Sequence, residues 1–427
     1  MQTIFYNANI ITFDENLPKA EAFFVNDGSI VLVGSNDEVL SMKTDDINVI
    51  DLKGKTVVPS FYDINARIYD LIEDGIKNAK LDEFLENNAE IDENYDKFVN
   101  FDIYKNHFLP IQEDYLANGI TTVFELSMNS KEFTFWKKLS ETGELKLDVI
   151  GYVDITQNKD IMDNNCRSYR KYKKHFRLGG YYLKIDDELI TKKAWLCKPY
   201  KGEHRYQGYT NYVDEHLMIA IKTGLEEKKQ FIVECNGDNA LDQFLRCFRE
   251  KVKDKLEEDK FKPIAKNCNF ISKKHFKELK ELDITPCFQI KDISEYGKEY
   301  RKSIGKFRAS KIQPVRDVID NGQQFLLSSK SKEIPNIFEL AFFAGSREYD
   351  KNKVLGKKNI ISFKEAINSL IISSSKFAFD YGFKGSIENG KRADFVVLND
   401  SLEDIENNKI LDPVLKTFIE GEEVFTK

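Results

Sequence analysis

The sequence predicts an α/β fold, a (β/α)8 TIM-like barrel carrying a small β-sandwich made from the N- and C-terminal segments. Three observations predict it. The N-terminal segment reads as consecutive short antiparallel strands. The C-terminal segment reads as turns, a strand and a closing hairpin. Between them, apolar strand-like runs alternate with helical segments, the pattern of a parallel barrel. The expected division is a sandwich of residues 1–58 with 385–427 and a barrel of residues 59–384.

Ile4 to Phe13 is the first strand. Ala20 to Val25 is the next, and Asn26-Asp27-Gly28 supplies the hairpin turn to Ser29–Gly34. Val49 to Leu52 follows a short helical stretch. These strands bury too little to stand alone, so they need the strand and hairpin of residues 385–398 and 414–425 as partners. Lys55 to Arg67 then leads into the barrel. Val57 and Val58 are β-branched and suit a half-buried strand, and Pro59 removes a ladder donor. Tyr115 to Phe124 reads as helix end, turn at Gly119 and buried strand. Leu147–Tyr152, Gln230–Cys235 and Gln324–Ser329 are further apolar runs after helical segments. The charge-rich stretches 251–262 and 273–281 read as solvated helix faces.

A chain of 427 residues can bury a large core. Its 41% hydrophobic and 32% charged content is that of a globular protein. The net charge of −7 offers no basic surface for nucleic acid. No apolar run approaches the roughly 18 residues of a membrane span, and the first residues lack the pattern of a secretory signal. The six cysteines have no C-x-x-C spacing and read as free thiols, so a cytoplasmic location is expected. No Walker loop is present.

Several phrases carry a family resemblance. Lys55 to Arg67 resembles K-T-V-x-P-G-F-I-D-x-H-x-H, and Gly385 to Leu398 is similar to a C-terminal G-S-I-x-x-G-K-x-A-D-x-V-V-L. Leu178–Asp186 with Ala194–Tyr200, Glu234–Leu241, Ile264–Cys268, Gln289 and Gly322–Lys330 match further segments. Together they identify the chain as resembling the amidohydrolase superfamily, in the branch that includes N-substituted formamide deformylases. The resemblance implies a (β/α)8 barrel with a sandwich from both termini, hydrolysis of non-peptide C–N bonds in small molecules, and zinc or another divalent metal. It suggests a homodimer. The segment between Arg67 and Gly119 is short for the branch.

The chemistry departs from that pattern. Metal-assisted hydrolysis needs imidazole and carboxylate ligands that lower the pKa of a bound water to about 7. The positions the resemblance assigns to metal ligands carry Asn65, Arg67, Glu234, Lys266 and Lys330. A gapless count from Asp186 places Tyr182 at the bridging-lysine position; Lys184 lies two residues on and faces the same side of a strand. Amide, guanidinium and ammonium groups do not suit a divalent metal. The expectation is a degenerate site with no cofactor, in which Arg67, Lys266 and Lys330 place positive charges in one pocket and Glu234 neutralises part of them. Asn65, Arg67, Tyr182, Asp63 and Asp238 complete the expected pocket, the two aspartates as structural groups at strand ends.

The chain has only five histidines: His107, His175, His204, His216 and His275. All lie in polar segments that read as surface, with His204 on a loop within reach of the pocket. Cys235 follows Glu234 and should point away from it by strand alternation. Three functional classes remain. The first is C–N hydrolysis at a non-standard site, with Glu234 as general base and Lys184, Lys266 or Lys330 stabilising an oxyanion. The second is a non-catalytic binder or sensor of a small anion, without nucleic-acid or membrane partners. The third is a structural or regulatory paralogue, a pseudoenzyme with a filled pocket.

Overall fold

The computed structural model describes residues 2–87, 101–252 and 261–427. The charge-rich expectation over 251–262 falls mainly outside these residues. The strands of the N-terminal segment are β1 (Gln2–Tyr6), β2 (Asn9–Ile11), β3 (Lys19–Ala20), β4 (Ala22–Asn26), β5 (Ser29–Gly34), β6 (Asn48–Asp51) and β7 (Thr56–Pro59). The barrel strands are β8 (Phe61–Ala66), β9 (Ile120–Met128), β10 (Asp148–Asp154), β11 (Phe176–Lys184), β12 (Gln230–Glu234), β13 (Ile264–Lys266), β14 (Thr285–Phe288) and β15 (Leu326–Leu327). A small hairpin, β16 (Glu348–Asp350) and β17 (Lys353–Val354), precedes β18 (Phe395–Leu398), β19 (Val414–Ile419) and β20 (Glu422–Thr426).

β8 to β15 pair in sequence order and in parallel as one eight-stranded sheet. This is the (β/α)8 barrel expected from strand–helix alternation. Its seam is held by side chains: Asn65 Nδ2 donates to the Ser329 carbonyl at 2.7 Å, and Ser329 Oγ donates to Asp63 Oδ1 at 2.7 Å. Tyr62, Ile64, Phe124, Leu126, Ile150, Tyr152, Ile232 and Ile264 fill the interior. Helices cover the outside, as a sheet buried on both faces requires.

The two ends of the chain build the second unit. One sheet runs β5-β4-β1-β6 and the other β20-β19-β18-β7-β2-β3, so C-terminal strands pair with N-terminal ones through β18 and β7. Phe5, Phe23, Phe395 and Phe418 stack between the sheets. β7 runs into β8 across Ser60 alone, which ties sandwich to barrel. Gly119 marks the same junction: its φ is +72°, and a Cβ there would lie 2.9 Å from Val396 of β18.

A buried ionic cluster joins the units away from the barrel mouth. Arg392 contacts Asp148 and Asp394, Lys384 contacts Asp148, and Arg177 pairs with Asp380 at 2.8 Å. Burial pushes the Asp148 carboxyl up, but Arg392 and Lys384 pull it well below the usual carboxylate range.

Among the described residues no helix is long and apolar enough to cross a membrane. All six cysteines are free. The helix Lys273–Glu281 is not wholly a solvated face: His275, Phe276, Glu278 and Leu279 are buried. His275 therefore departs from the surface position expected of it. Its Nδ1 accepts from the Ser272 N–H at 3.2 Å and its Nε2 lies 3.0 Å from Asp242 Oδ1, so it closes the helix N-terminus.

Candidate functional site

The C-terminal ends of all eight barrel strands converge on one cavity of about 940 Å³. Asn65 and Arg67 come from β8, Leu126 and Ser127 from β9, and Asp154 from β10. Tyr182 and Lys184 come from β11, Glu234 from β12 and Lys266 from β13. Gln289 and Lys330 follow β14 and β15. Parallel strands aim their carboxyl ends and following loops at one face, so residues far apart in sequence meet there.

The closest pair is Lys266 with Glu234. Adjacent parallel strands in register bring Lys266 Nζ to 2.6 Å from Glu234 Oε2, and they are 4% and 6% exposed. Tyr182 OH donates to the same oxygen at 2.7 Å. Asn236 Nδ2 donates to Oε1 at 3.1 Å, and Lys184 Nζ stands 3.9 Å away. Burial alone would raise this carboxyl; Lys266, Lys184 and the tyrosine hydroxyl hold it at about 2.

The other expected cations do not stand bare. Arg67 pairs with Asp70 at 2.7 Å and Glu132 at 2.9 Å. Lys184 pairs with Asp187 at 2.9 Å. Lys330 pairs with Glu295 at 2.7 Å and receives Tyr296 OH at 2.8 Å as acceptor, with the ring 5.1 Å below the ammonium. Both lysines are shifted upward, Lys184 because Glu234 and Asp187 outweigh burial and Lys330 by its bonds to Glu295 and Tyr296. The cationic cluster expected from sequence, neutralised only in part by Glu234, is thus replaced by a ring of ion pairs. Asp70 and Asp187 lie three residues from their partners, a spacing visible in sequence. Glu132 and Glu295 are distant in the chain, and nothing local marks them as partners.

Asn65 donates to Gln289 Oε1 at 3.1 Å as well as to the seam. Asp63 and Asp238 lie outside the cavity lining. Asp63 is buried and accepts from Ser329 Oγ, from the Asn65 N–H at 3.1 Å and from Tyr115 OH at 3.2 Å; burial raises its carboxyl to about 6 against those bonds. Asp238 accepts from the Cys197 N–H at 2.7 Å, fixing a loop. Asp186 does similar work at the mouth, accepting from the backbone N–H of Trp195, Asn236 and Gly237 at 2.7, 2.7 and 2.8 Å. His204 is exposed and does not line the cavity, and Cys235 is buried away from it.

A model of the amidohydrolase family matches residues 72–425. The chain belongs to the amidohydrolase family. An N-substituted formamide deformylase of Arthrobacter pascens is 44% identical over 57 residues, 13% of this chain and 10% of that protein. The Protein LONG AFTER FAR-RED 3 of Arabidopsis thaliana is 22% identical over 329 residues, 73% of this chain and 55% of that protein. The chain thus spans about half or less of the curated relatives it matches. An uncharacterised metal-dependent hydrolase of Pyrococcus horikoshii superposes with a TM-score of 0.79 at 18% identity, covering 96% of this chain and 99% of that one. That likeness shows the amidohydrolase fold.

The donor chemistry at Asn65, Arg67, Glu234, Lys266 and Lys330 does not fit a divalent metal. Glu234 spends both oxygens on an ammonium, a phenol and an amide, and Asn65, Arg67, Lys266 and Lys330 are neutral or cationic donors. Among the described residues no group of three or more histidine, cysteine or carboxylate side chains is placed to hold a metal ion.

Proposed function

We propose that this amidohydrolase-family chain keeps the barrel-mouth cavity as a binding site for a polar small molecule and has given up metal-assisted hydrolysis, a degenerate site in a hydrolase fold. The observation that carries the reading is the Lys266–Glu234 pair. It puts a tethered ammonium against the one carboxylate among the inherited ligand positions. A carboxyl held at about 2 is a weak general base near neutrality. Neither Lys184 nor Lys330 is shifted downward as a catalytic amine would be. The retained cavity of about 940 Å³ speaks against a mouth filled by its own side chains.

The test is elemental analysis of the purified protein beside calorimetric zinc titration, with an N-substituted formamide offered as substrate. The expected result is no stoichiometric metal, no tight uptake and no amide turnover. Descent supports a second reading, hydrolysis of C–N bonds, because the deformylase of Arthrobacter pascens and the metal-dependent hydrolase of Pyrococcus horikoshii are hydrolases by name. One bound metal per chain together with turnover would make that reading the leading one.

A further inference from the structure

The barrel end opposite the cavity gathers positive charge. Residues 164–185 contain no aspartate or glutamate in a chain that has 71, and six of the eleven residues from Arg167 to Arg177 are lysine or arginine. Arg177 is buried and committed to Asp380. The rest of the run forms the loop that leads into β11. The loops that lead into the neighbouring strands β12 and β13 add Lys229 and Lys262.

Two aromatic rings arrange these cations. The Arg170 guanidinium carbon lies 3.2 Å from the centre of the Phe379 ring and 4.9 Å from that of Tyr169. Lys229 Nζ is 3.9 Å from the Tyr169 ring, and Lys262 Nζ is 5.1 Å from the Phe379 ring. The two ammoniums are therefore no more than about 17 Å apart, the reach of five residues of extended chain, and Arg170 is linked to both through the rings. The arrangement is fixed in place. Tyr169 OH accepts from the Gln230 N–H at 3.2 Å and donates to the Lys228 carbonyl at 3.3 Å, and the Arg170 N–H donates to the Leu178 carbonyl at 2.9 Å. Arg170, Lys174 and His175 have φ of +54°, +50° and +70°, a backbone conformation that persists only where the surroundings hold it.

Compensating acids are few. Glu227, the acid that acts on Lys229, pairs with Lys159 at 2.8 Å and accepts from Tyr181 OH. Lys173 meets Glu141 at 3.6 Å, with both side chains more than half exposed. Arg167, Lys171 and Lys174 are exposed, and none has a carboxylate within ion-pair distance among the described residues. Burial pushes Arg170 and Lys229 below their ordinary values; Arg177 adds like charge against the first and Arg170 against the second. An anionic partner would relieve that crowding.

The kind of anion follows from what surrounds the cations. Tyr169 and Phe379 already carry cations, so they are not free platforms for stacking bases. None of the exposed large apolar side chains lies in residues 165–177, so the loop has no anchor for a bilayer. The chain's net charge of −7 repels a long polyanion more than a short acidic segment. We propose that this end of the barrel docks an extended acidic segment of a partner protein, its carboxylates lying along the row from Lys229 through Arg170 to Lys262.

The probe is fluorescein-labelled hexaglutamate, followed by anisotropy on the full chain, with hexaglutamine, a twelve-nucleotide oligothymidylate and phosphatidylserine vesicles as the other arms. Hexaglutamate should bind, and more weakly as salt rises from about 50 to about 200 mM. Lys229→Gln with Lys262→Gln should weaken it about tenfold or more, and Lys171→Gln with Lys174→Gln about threefold. The second pair is exposed on a loop, so the fold is kept, and an unchanged far-UV spectrum verifies it. No binding of hexaglutamate, equal binding of hexaglutamine, tighter binding of the oligonucleotide or the vesicles, or undiminished binding by the exposed double variant would each overturn the proposal.

Discussion

Lys266 Nζ lies 2.6 Å from Glu234 Oε2 on neighbouring barrel strands, where both side chains are almost wholly buried. Breaking such a pair leaves an uncompensated charge in a poorly solvated site, whereas replacing both members leaves none. Lys266→Met should cost about 3–5 kcal/mol of unfolding free energy, and the Lys266→Met/Glu234→Met double variant should recover most of it. Denaturant unfolding of the wild type, both single variants and the double variant gives the coupling energy. A coupling near zero would show that the pair does not hold the mouth together.

The same pair sets a pH dependence. Glu234 is held at about 2 against an ordinary value of 4.5, so the folded state binds its proton less readily than the unfolded one. Its contribution is present above the unfolded value and is lost as pH falls from about 4.5 through about 2. The stability difference between wild type and Glu234→Gln should shrink across that window by an amount on the order of 3 kcal/mol. Asp63 and Asp292 act in the opposite sense. Burial raises both to about 6, so each favours the folded state at low pH and loses that advantage as pH rises through about 6. Asp63→Asn should therefore flatten the decline in stability between about pH 4 and 6, read by thermal unfolding at each pH.

Metal binding should resist partial repair. Lys330→Asp with Lys266→His supplies two ligand types, but Asn65 and Arg67 stay in place, and Arg67 keeps its bonds to Asp70 and Glu132. The double variant should take up no zinc by calorimetry, while adding Asn65→His and Arg67→His should allow uptake. Tight zinc binding by the double variant alone would show that these residues do not share one site.

Arg392 belongs to the C-terminal phrase that carried the family resemblance, and its guanidinium reaches Asp148 of β10 and Asp394. Arg392→Met should destabilise the protein by about 3–5 kcal/mol, since it strands buried carboxylates between sandwich and barrel. Proteolysis should then cut near the junction of the two units at lower temperature than in the wild type, while an exposed pair such as Lys416–Glu423 should give less than about 1 kcal/mol when broken.

The sequence by itself determined the fold class and the family. Strand–helix alternation, the turn at Gly119, the Val57-Val58-Pro59 strand end and the Gly385–Leu398 phrase are local or contiguous patterns, and each reports directly on backbone geometry. It also raised the expectation that Asn65, Arg67, Glu234, Lys266 and Lys330 stand where the family's metal ligands would be. Tertiary structure alone decided what those residues amount to. A charge takes its meaning from what lies within a few ångströms, and Glu132 and Glu295 reach Arg67 and Lys330 only after the barrel has closed. Read in one dimension, Arg67, Lys266 and Lys330 are three positive charges in a pocket; folded, each has a carboxylate partner. The burial of His275 was equally hidden, because it depends on how the helix Lys273–Glu281 packs.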